Sequence, residues 1–385
     1  MEKIYTALGL MSGTSMDGVD ASIIRSDGLG QFYNFLDEYC EFDSNLYKRL
    51  VDLRNLVLTK ADLIEFYEEL KILEQEITIF HSEIVNKISV KYKKITGKDI
   101  DLVGFHGQTI FHDPKNKITK QLGDGKLLSQ LTKKTVIYDF RQNDLKNGGQ
   151  GAPLTPVFHN LLANFIYNEF KSEFSNILNI GGISNITKTV KDSDYLKKNI
   201  EAFDIGPGNC LIDDWIRKNS NKRFDEGGLI GKSGKVNQLI LNQAIDNFEI
   251  ISYDQSLDIK DFDISFAKGL SLEDGCATIT NFTAYLIVEG IKFSNKKNKD
   301  ISSRYLTCGG GRKNHFLIET INRYLSNLEN ITLNPIDLYN HDGDYIESQA
   351  FAYLAIRSYL GLPITFPTTS GCKEPSTGGV IIENF

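Results

Sequence analysis

Apolar residues follow two rhythms along this chain. Short, nearly unbroken apolar runs at 4–11, 19–24, 32–42, 101–105, 136–140, 175–180, 184–190, 201–205 and 304–308 predict strands. Three- and four-residue spacing predicts helices at 45–57, 61–92, 155–170, 210–218, 236–248, 272–293 and 345–359. In the longest, Leu63, Phe66, Leu70, Leu73, Ile77, Phe80 and Ile84 form one stripe, which serves a core or an interface.

The order of these elements repeats. A strand, a glycine-bearing turn and a second strand occur at 8–24 and again at 177–190, each followed by further strands and helices. Two similar α/β domains with mixed sheets explain a repeat of about half the chain, with a ligand expected in a cleft facing both tips. The glycine-rich stretch 148–151, followed by Pro153, marks the expected crossing. Residues 1–140 with 350–385 then form one domain, and 141–349 the other.

Composition narrows the function. The chain has 385 residues, enough for two domains, and its 41% hydrophobic and 24% charged content is that of a globular protein. A net charge of −7 argues against nucleic acid and anionic membrane as partners. No apolar run approaches the roughly 20 residues of a membrane span. Met1-Glu2-Lys3 leads straight into a strand without a leader, so the cytoplasm is the expected compartment. Cysteines 40, 210, 276, 308 and 372 are odd in number and far apart, which indicates neither a zinc site nor a disulfide framework.

The first tip is the most chemically loaded stretch. Gly13 and Gly18 let the backbone approach a ligand, and Ser12, Thr14 and Ser15 add hydroxyls. Asp17 and Asp20 add carboxylates, so the tip suits a phosphate and its magnesium ion, or is an ordinary polar turn. Further glycine tips follow strands at 181–182, 206–208 and 309–311. Two familiar phosphate motifs fail. Gly231-Lys232-Ser233 lacks the first glycine of a P-loop, since Glu226 stands there. Gly206-Pro207-Gly208 lacks the third glycine of a dinucleotide fingerprint, since Leu211 stands there. Asp204 ends an apolar strand and is either a proton acceptor or a turn and N-cap acid. Glu347 opens the last helix, where a carboxylate also suits the dipole. His106 and Gln108 bond a polar ligand or are structural. Arg141 pairs with Asp144 or grips an anion. Asp342 and Asp344 read as a turn before a metal site.

These residues carry a family resemblance. Met11-Ser12-Gly13-Thr14-Ser15-Met16-Asp17-Gly18-Val19-Asp20 resembles the opening signature of the anhydro-N-acetylmuramic acid kinases. The similarity continues through Gly104-Phe105-His106-Gly107-Gln108-Thr109, Asp139-Phe140-Arg141-Gln142-Asn143-Asp144 and Gly149-Gln150-Gly151-Ala152-Pro153-Leu154. It continues through Asn179-Ile180-Gly181-Gly182-Ile183-Ser184-Asn185, Phe203-Asp204-Ile205-Gly206-Pro207-Gly208-Asn209, Cys308-Gly309-Gly310-Gly311-Arg312 and Glu347-Ser348-Gln349-Ala350. The stretches 225–228 and 251–263 follow the family pattern only loosely.

The resemblance implies two duplicated domains of the actin-like ATPase, ribonuclease H-like type. It implies ATP and Mg²⁺, with Asp17 nearest the metal. Nucleotide contacts fall on Gly13, Thr14, Ser15, Met16, Asp17, Gly18, Val19, Asp20, Gly181, Gly182, Gly309, Gly310, Gly311 and Arg312. The catalytic base falls on Asp204. Sugar contacts fall on His106, Gln108, Thr109, Arg141, Asp144, Pro207, Gly208, Asn209 and Glu347. The expected activity opens 1,6-anhydro-N-acetylmuramic acid with water and phosphorylates O6, in cell-wall recycling. Alternatives are a plain sugar or acetate kinase of the same fold, or a nucleotide-driven binding protein. The expected partners are the amino sugar and a second copy of the chain.

Overall fold

The computed structural model describes residues 3–191, 200–248, 253, 255–296, 303–326, 328 and 330–383. Residues 251, 252 and 254 of the loosely matching stretch 251–263 thus lie outside the described residues. The strands are β1 (Tyr5–Ser12), β2 (Gly18–Ser26), β3 (Phe32–Glu41), β4 (Leu102–Asp113), β5 (Ile118–Leu122) and β6 (Thr135–Tyr138). Then come β7 (Asn176–Ile180), β8 (Ile183–Lys188), β9 (Glu201–Pro207), β10 (Ser303–Cys308), β11 (Ile331–Pro335) and β12 (Val380–Ile382).

The chain divides into two units. The first comprises Met1–Phe165, Val190–Ile200 and Tyr345–Phe385; the second comprises Ile166–Thr189 and Glu201–Asp344. Each holds one sheet, and the core strand order of the two sheets is the same. In the first, the order is β3–β2–β1–β4–β6, with β1, β2 and β3 antiparallel and β1, β4 and β6 parallel. In the second, β9–β8–β7–β10–β11 reproduces both the order and every strand direction. The repeat seen in the sequence is a duplicated fold of ribonuclease H-like topology. β5 adds a hairpin to β4, and β12 pairs antiparallel with β6.

Burial explains the runs. β1 is buried on both faces over most of its length, as a central strand should be, so it shows no alternation. Gly9 on β1 pairs in register with Gly104 on β4. A Cβ at Gly9 would lie 2.0 Å from the Ser348 carbonyl oxygen, and one at Gly104 would lie 2.3 Å from that of Phe351. The paired glycines therefore make the groove that receives the helix Ile346–Tyr359, buried almost throughout. The opposite face packs against the helix Tyr67–Thr96 through Leu70, Leu73, Ile77, Ile84, Val85 and Ile88. In the second unit the helix Leu272–Ser294 sits on β9, where a Cβ at Gly290 would meet Ile205 at 2.4 Å.

Several boundaries differ from the sequence reading. The helix expected at 61–92 is a short turn, Asp62–Glu65, then Tyr67–Thr96, which stops at left-handed Gly97 (φ 70°). The strand expected to end at Phe105 runs on to Asp113, because β5 supplies hydrogen-bond partners beyond the apolar run. The stretch 148–151 is not the domain crossing. Gly149 N–H donates to Asp144 O and Gln150 N–H to Ser370 O, all within the first unit. The crossing falls later, inside the helix Pro156–Phe170, and the returning segment begins at Tyr345.

Candidate functional site

In the first unit, the tip between β1 and β2 is a compact turn. Met16 N–H donates to Gly13 O at 3.2 Å, and Met16 takes a left-handed backbone (φ 57°) that buries its side chain beneath the tip. Thr14 and Ser15 stay exposed. The Ser15 hydroxyl donates to Asp17 Oδ1 at 2.5 Å. Gly13 is open: the nearest atom to an added Cβ is Ser15 Oγ, 3.9 Å away. Gly18 has a different cause, since its Cβ would lie 2.5 Å from Cys40 O on β3. Val19 is fully buried in β2, and Asp20 pairs across to Met11 in the ladder. Gln108, expected at the sugar, supports the tip. Its Nε2 donates to Gly13 O at 3.0 Å, and its Oε1 lies 2.6 Å from the Ser12 hydroxyl.

Exposed hydroxyls, an open glycine and one adjacent carboxylate fit a phosphate whose metal ion keeps most of its own shell. Among the described residues no group of three or more His, Cys, Asp or Glu side chains gathers to hold a metal.

Four expected sugar contacts of the first unit are tied into its frame. Arg141 donates through Nε and Nη2 to His106 Nε2, at 3.2 and 3.0 Å, and through Nη1 to Gly151 O at 2.7 Å. His106 Nδ1 donates to Gly107 O at 2.8 Å, so the ring is neutral, and it packs on Phe351. Burial, then the Arg141 charge, holds its pKa well below the usual histidine value. Asp144 takes Gly151 N–H at 2.7 Å and the Ser370 hydroxyl at 2.6 Å, while Gly149 leaves no room for a Cβ against its carboxylate. Arg141 and Asp144 thus hold the two ends of residue 151. Thr109 Oγ1 accepts from Gln121 Nε2 at 3.2 Å. Glu347 lies in the first turn of the helix Ile346–Tyr359, half-buried. Next to it, Ser348 meets Ser22 and Gln349 donates to Asp37, which fixes that helix start on β2 and β3.

The second unit gathers its glycine tips. Gly208 N–H donates to Gly182 O and Asn209 N–H to Gly181 O, both at 2.8 Å. A Cβ at Gly208 would lie 2.0 Å from Gly181 O, so the approach requires glycine there. Ser184 Oγ donates to Pro207 O at 3.2 Å. Gly309 (φ 81°) and Gly311 press on Asn179 and Ile180, whereas Gly310 stays open, 3.8 Å from Asn209 Nδ2. Residues 181–182, 207–209 and 309–311 are therefore one cluster of closely packed backbone.

Arg312 belongs to that cluster's support. Its Nε and Nη2 make a bidentate pair with Asp337 at 2.8 and 2.7 Å, Nη2 reaches Asp342 at 3.0 Å, and Nη1 meets Asp344. Nη1 also donates to Gly309 O at 3.2 Å. Asp342 and Asp344 are thus its counter-ions. Asp337, bonded first of all to Arg312, has its carboxyl held below the usual range.

Asp204 sits in β9, buried, with Leu257 N–H donating to its Oδ2 at 2.9 Å and Ser256 Oγ at 3.4 Å. It caps no helix: the following helix, Cys210–Asn219, starts after Asn209. Leu257, Ser256 and Asp337 were invisible from sequence, because nothing in their local pattern signals a partner more than twenty residues away.

The family described as anhydro-N-acetylmuramic acid kinase matches residues 5–384. The anhydro-N-acetylmuramic acid kinase of Pelagibacter ubique (strain HTCC1062) is 51% identical, covering 100% of both chains. That of Rhizobium etli is 38% identical over 99% of each chain, and that of Agrobacterium fabrum is 37% identical over 99% of this chain and 100% of its own. The chain belongs to the anhydro-N-acetylmuramic acid kinase family.

Proposed function

We propose that this chain is an ATP-dependent kinase that opens 1,6-anhydro-N-acetylmuramic acid with water and phosphorylates O6. The products are N-acetylmuramic acid 6-phosphate and ADP, in the recycling of cell-wall murein. The observation that carries this is the family match over 5–384, which spans both glycine tips and Asp204.

The chemistry accounts for a single base. Glycoside hydrolysis ordinarily needs one carboxylate to activate water and another to protonate the leaving oxygen. Here the leaving oxygen is O6 of the same sugar, and the γ-phosphoryl group takes the place of that proton. Water adds to C1 and loses its proton to Asp204; the C1–O6 bond breaks, an O6–P bond forms, and ADP departs. Leu257 N–H orients the Asp204 carboxylate for this role. The 12–18 tip receives the phosphates through backbone and hydroxyl groups, and Asp17 would hold Mg²⁺, which would neutralise charge on the transferring group. The tips at 181–182 and 309–311 serve the rest of the nucleotide, with Arg312 bracing Gly309.

No described helix is long and apolar enough to cross a membrane, and an ATP-consuming sugar kinase fits the cytoplasm. Exposed Tyr33, Phe35 and Tyr39 on edge strand β3 support a homodimer. The test is incubation with ATP, Mg²⁺ and the anhydro sugar, followed by mass analysis. A sugar heavier by one water plus one phosphoryl group supports the reading. A phosphorylated but intact anhydro ring would make it a plain kinase, and ADP with unchanged sugar would make it an ATPase.

A further inference from the structure

Two donors to Asp204, the Ser256 hydroxyl and Leu257 N–H, come from one short stretch of chain, and that stretch has its own anchor. Tyr253, four residues before Leu257, stacks on Phe293 with ring centroids 4.3 Å apart and planes at 27°. Phe203 closes the trio, edge-on to Phe293 at 5.4 Å and to Tyr253 at 6.2 Å. Phe203 is the residue immediately before Asp204.

Neighbours on a strand point to opposite faces of their sheet. Phe203 faces the helix Leu272–Ser294, which carries Phe293 and, at Gly290, packs on Ile205. Asp204 therefore points to the other face. Tyr253 packs on the Phe203 side, whereas Ser256 and Leu257 reach Asp204. Among the described residues β9 is the outermost strand of its sheet. A chain that touches both faces passes around that edge, and four residues reach about 13 Å, enough to do so. Beyond Leu257 the chain is pinned again. Asp258 and Asp261 form a capping box on the turn Ile259–Asp261, with Asp258 N–H donating to Asp261 Oδ2 at 2.7 Å, and Phe262 stacks on Phe248. The two donors lie between these fixed points.

A base in this position needs them. Asp204 is 7% exposed, and burial disfavours a charged carboxylate, while hydrogen bonds to the anion oppose that penalty. The carboxylate must also be held at the angle from which it takes a proton. Leu257 N–H and the Ser256 hydroxyl both address Oδ2, which favours the anion and fixes the rotation of the group. Tyr253 contributes its ring and not its acidity, since burial pushes its hydroxyl up to about 12.

We propose that Tyr253 and Ser256 are positioning residues of the reaction. Tyr253, held between Phe203 and Phe293, fixes the chain over the edge of β9, and Ser256 joins Leu257 N–H in setting the charge and angle of the Asp204 carboxylate. This rests on Asp204 being the base, as in the reading above.

The experiment measures kcat and both KM values, with ATP and 1,6-anhydro-N-acetylmuramic acid, for Ser256→Ala and Tyr253→Leu, each alone and combined with Asp204→Asn. Ser256→Ala should lower kcat by about 3–10-fold, the modest loss of one long bond to a charged group. Tyr253→Leu, which also loosens Leu257 N–H, should lower it by about 10–100-fold, as misplacement of a catalytic group does. Both KM values should stay within about two-fold of wild type, because these residues act through another side chain. Ser256→Thr keeps the hydroxyl and Tyr253→Phe keeps the stack, so each should recover most of the rate. In the Asp204→Asn background both substitutions should change the residual rate by less than about two-fold, because their effects run through the carboxylate. Equal factors in the two backgrounds, losses in KM instead of kcat, or wild-type kcat in both single variants would overturn the proposal and leave Asp204 as the base. If Tyr253→Leu does not fold, Ser256→Ala in the two backgrounds decides. If Asp204→Asn itself turns over at the wild-type rate, the base reading fails and the positioning roles fall with it.

Discussion

Two glycines near the first tip should behave in opposite ways when replaced by alanine. At Gly9 the new Cβ would stand 2.0 Å from Ser348 O and 2.4 Å from Ala352 N, both backbone atoms of the helix Ile346–Tyr359. Ordinary carbon contacts lie at about 3.5 Å or more, so the helix must rise by roughly 1.5 Å. That helix buries Ala350, Phe351, Tyr353, Leu354 and Ile356, and a lift of that size breaks most of their contacts. Overpacking ordinarily costs about 1–3 kcal/mol, and a clash with two backbone atoms belongs at the top of that range, so Gly9→Ala should lose about 3 kcal/mol. At Gly13 the nearest neighbour is 3.9 Å away and the backbone is not left-handed. Gly13→Ala should be neutral or up to about 1 kcal/mol more stable, through a less flexible unfolded chain. Urea unfolding reads both stabilities, and calorimetry reads ATP affinity. Gly13→Ala should bind ATP more weakly despite its stability. If Gly9→Ala unfolds at the wild-type urea concentration, the groove account is wrong; if Gly13→Ala binds ATP normally, the tip is not a phosphate cradle.

Two further outcomes follow from buried charge. Arg312→Met strips Asp337 and Asp342 of their partner, leaves Asp344 with Lys313, and should cost about 2–3 kcal/mol, a figure reduced because Asp337 and Asp342 are partly exposed. Asp337 titrates below its unfolded value, so its contribution is present above about pH 4 and lost as pH falls through the lowered pKa. The gap between variant and wild type should therefore close in acid, and a gap that persists unchanged would contradict the clasp. Buried His81 and His159 are held neutral by burial, with pKa values of about 4 and about 3. The unfolded chain binds their protons near pH 6.5, so stability should be complete above that and drop on acidification, by about 2 kcal/mol per histidine at pH 5. Urea midpoints at pH 7 and 5 check this; replacing both histidines by glutamine should reduce the dependence to the share left to His106 and His341, and equal wild-type midpoints would refute it.

The sequence made the duplication legible because hairpin tips are local: a glycine, small residues and two flanking apolar runs mark 8–24 and 177–190 without tertiary information. The strands it left out, β5, β11 and β12, are short and lie at sheet margins, where partial exposure weakens the apolar signal. The crossing was misplaced for a related reason. Gly149 and Gly151 look like a linker, but they are glycines for close packing on Asp144 and Leu145. The site divides along the same line. The glycine tips were readable as close backbone approaches, since their residue types announce them, and Asp204 as a carboxylate on a buried strand. That Gln108, Arg141 and Arg312 brace loops was not legible, because a polar side chain beside a glycine motif looks the same whether it faces a ligand or braces the loop. Asp139 lay inside a motif already quoted, and its left-handed backbone distinguishes it from Asp144.

The central claim is that Asp204 activates the water whose attack frees O6 for phosphorylation. The most direct test follows ring opening and phosphorylation together, by mass analysis over time, in wild type and Asp204→Asn. The variant keeps the shape of the side chain and loses the proton acceptor. Both reactions should fall in step by about 10²–10⁴-fold, as expected for loss of a general base, while ATP and sugar still bind. Ring opening at the wild-type rate in the variant, or accumulation of a phosphorylated sugar with its anhydro bridge intact, would contradict the account.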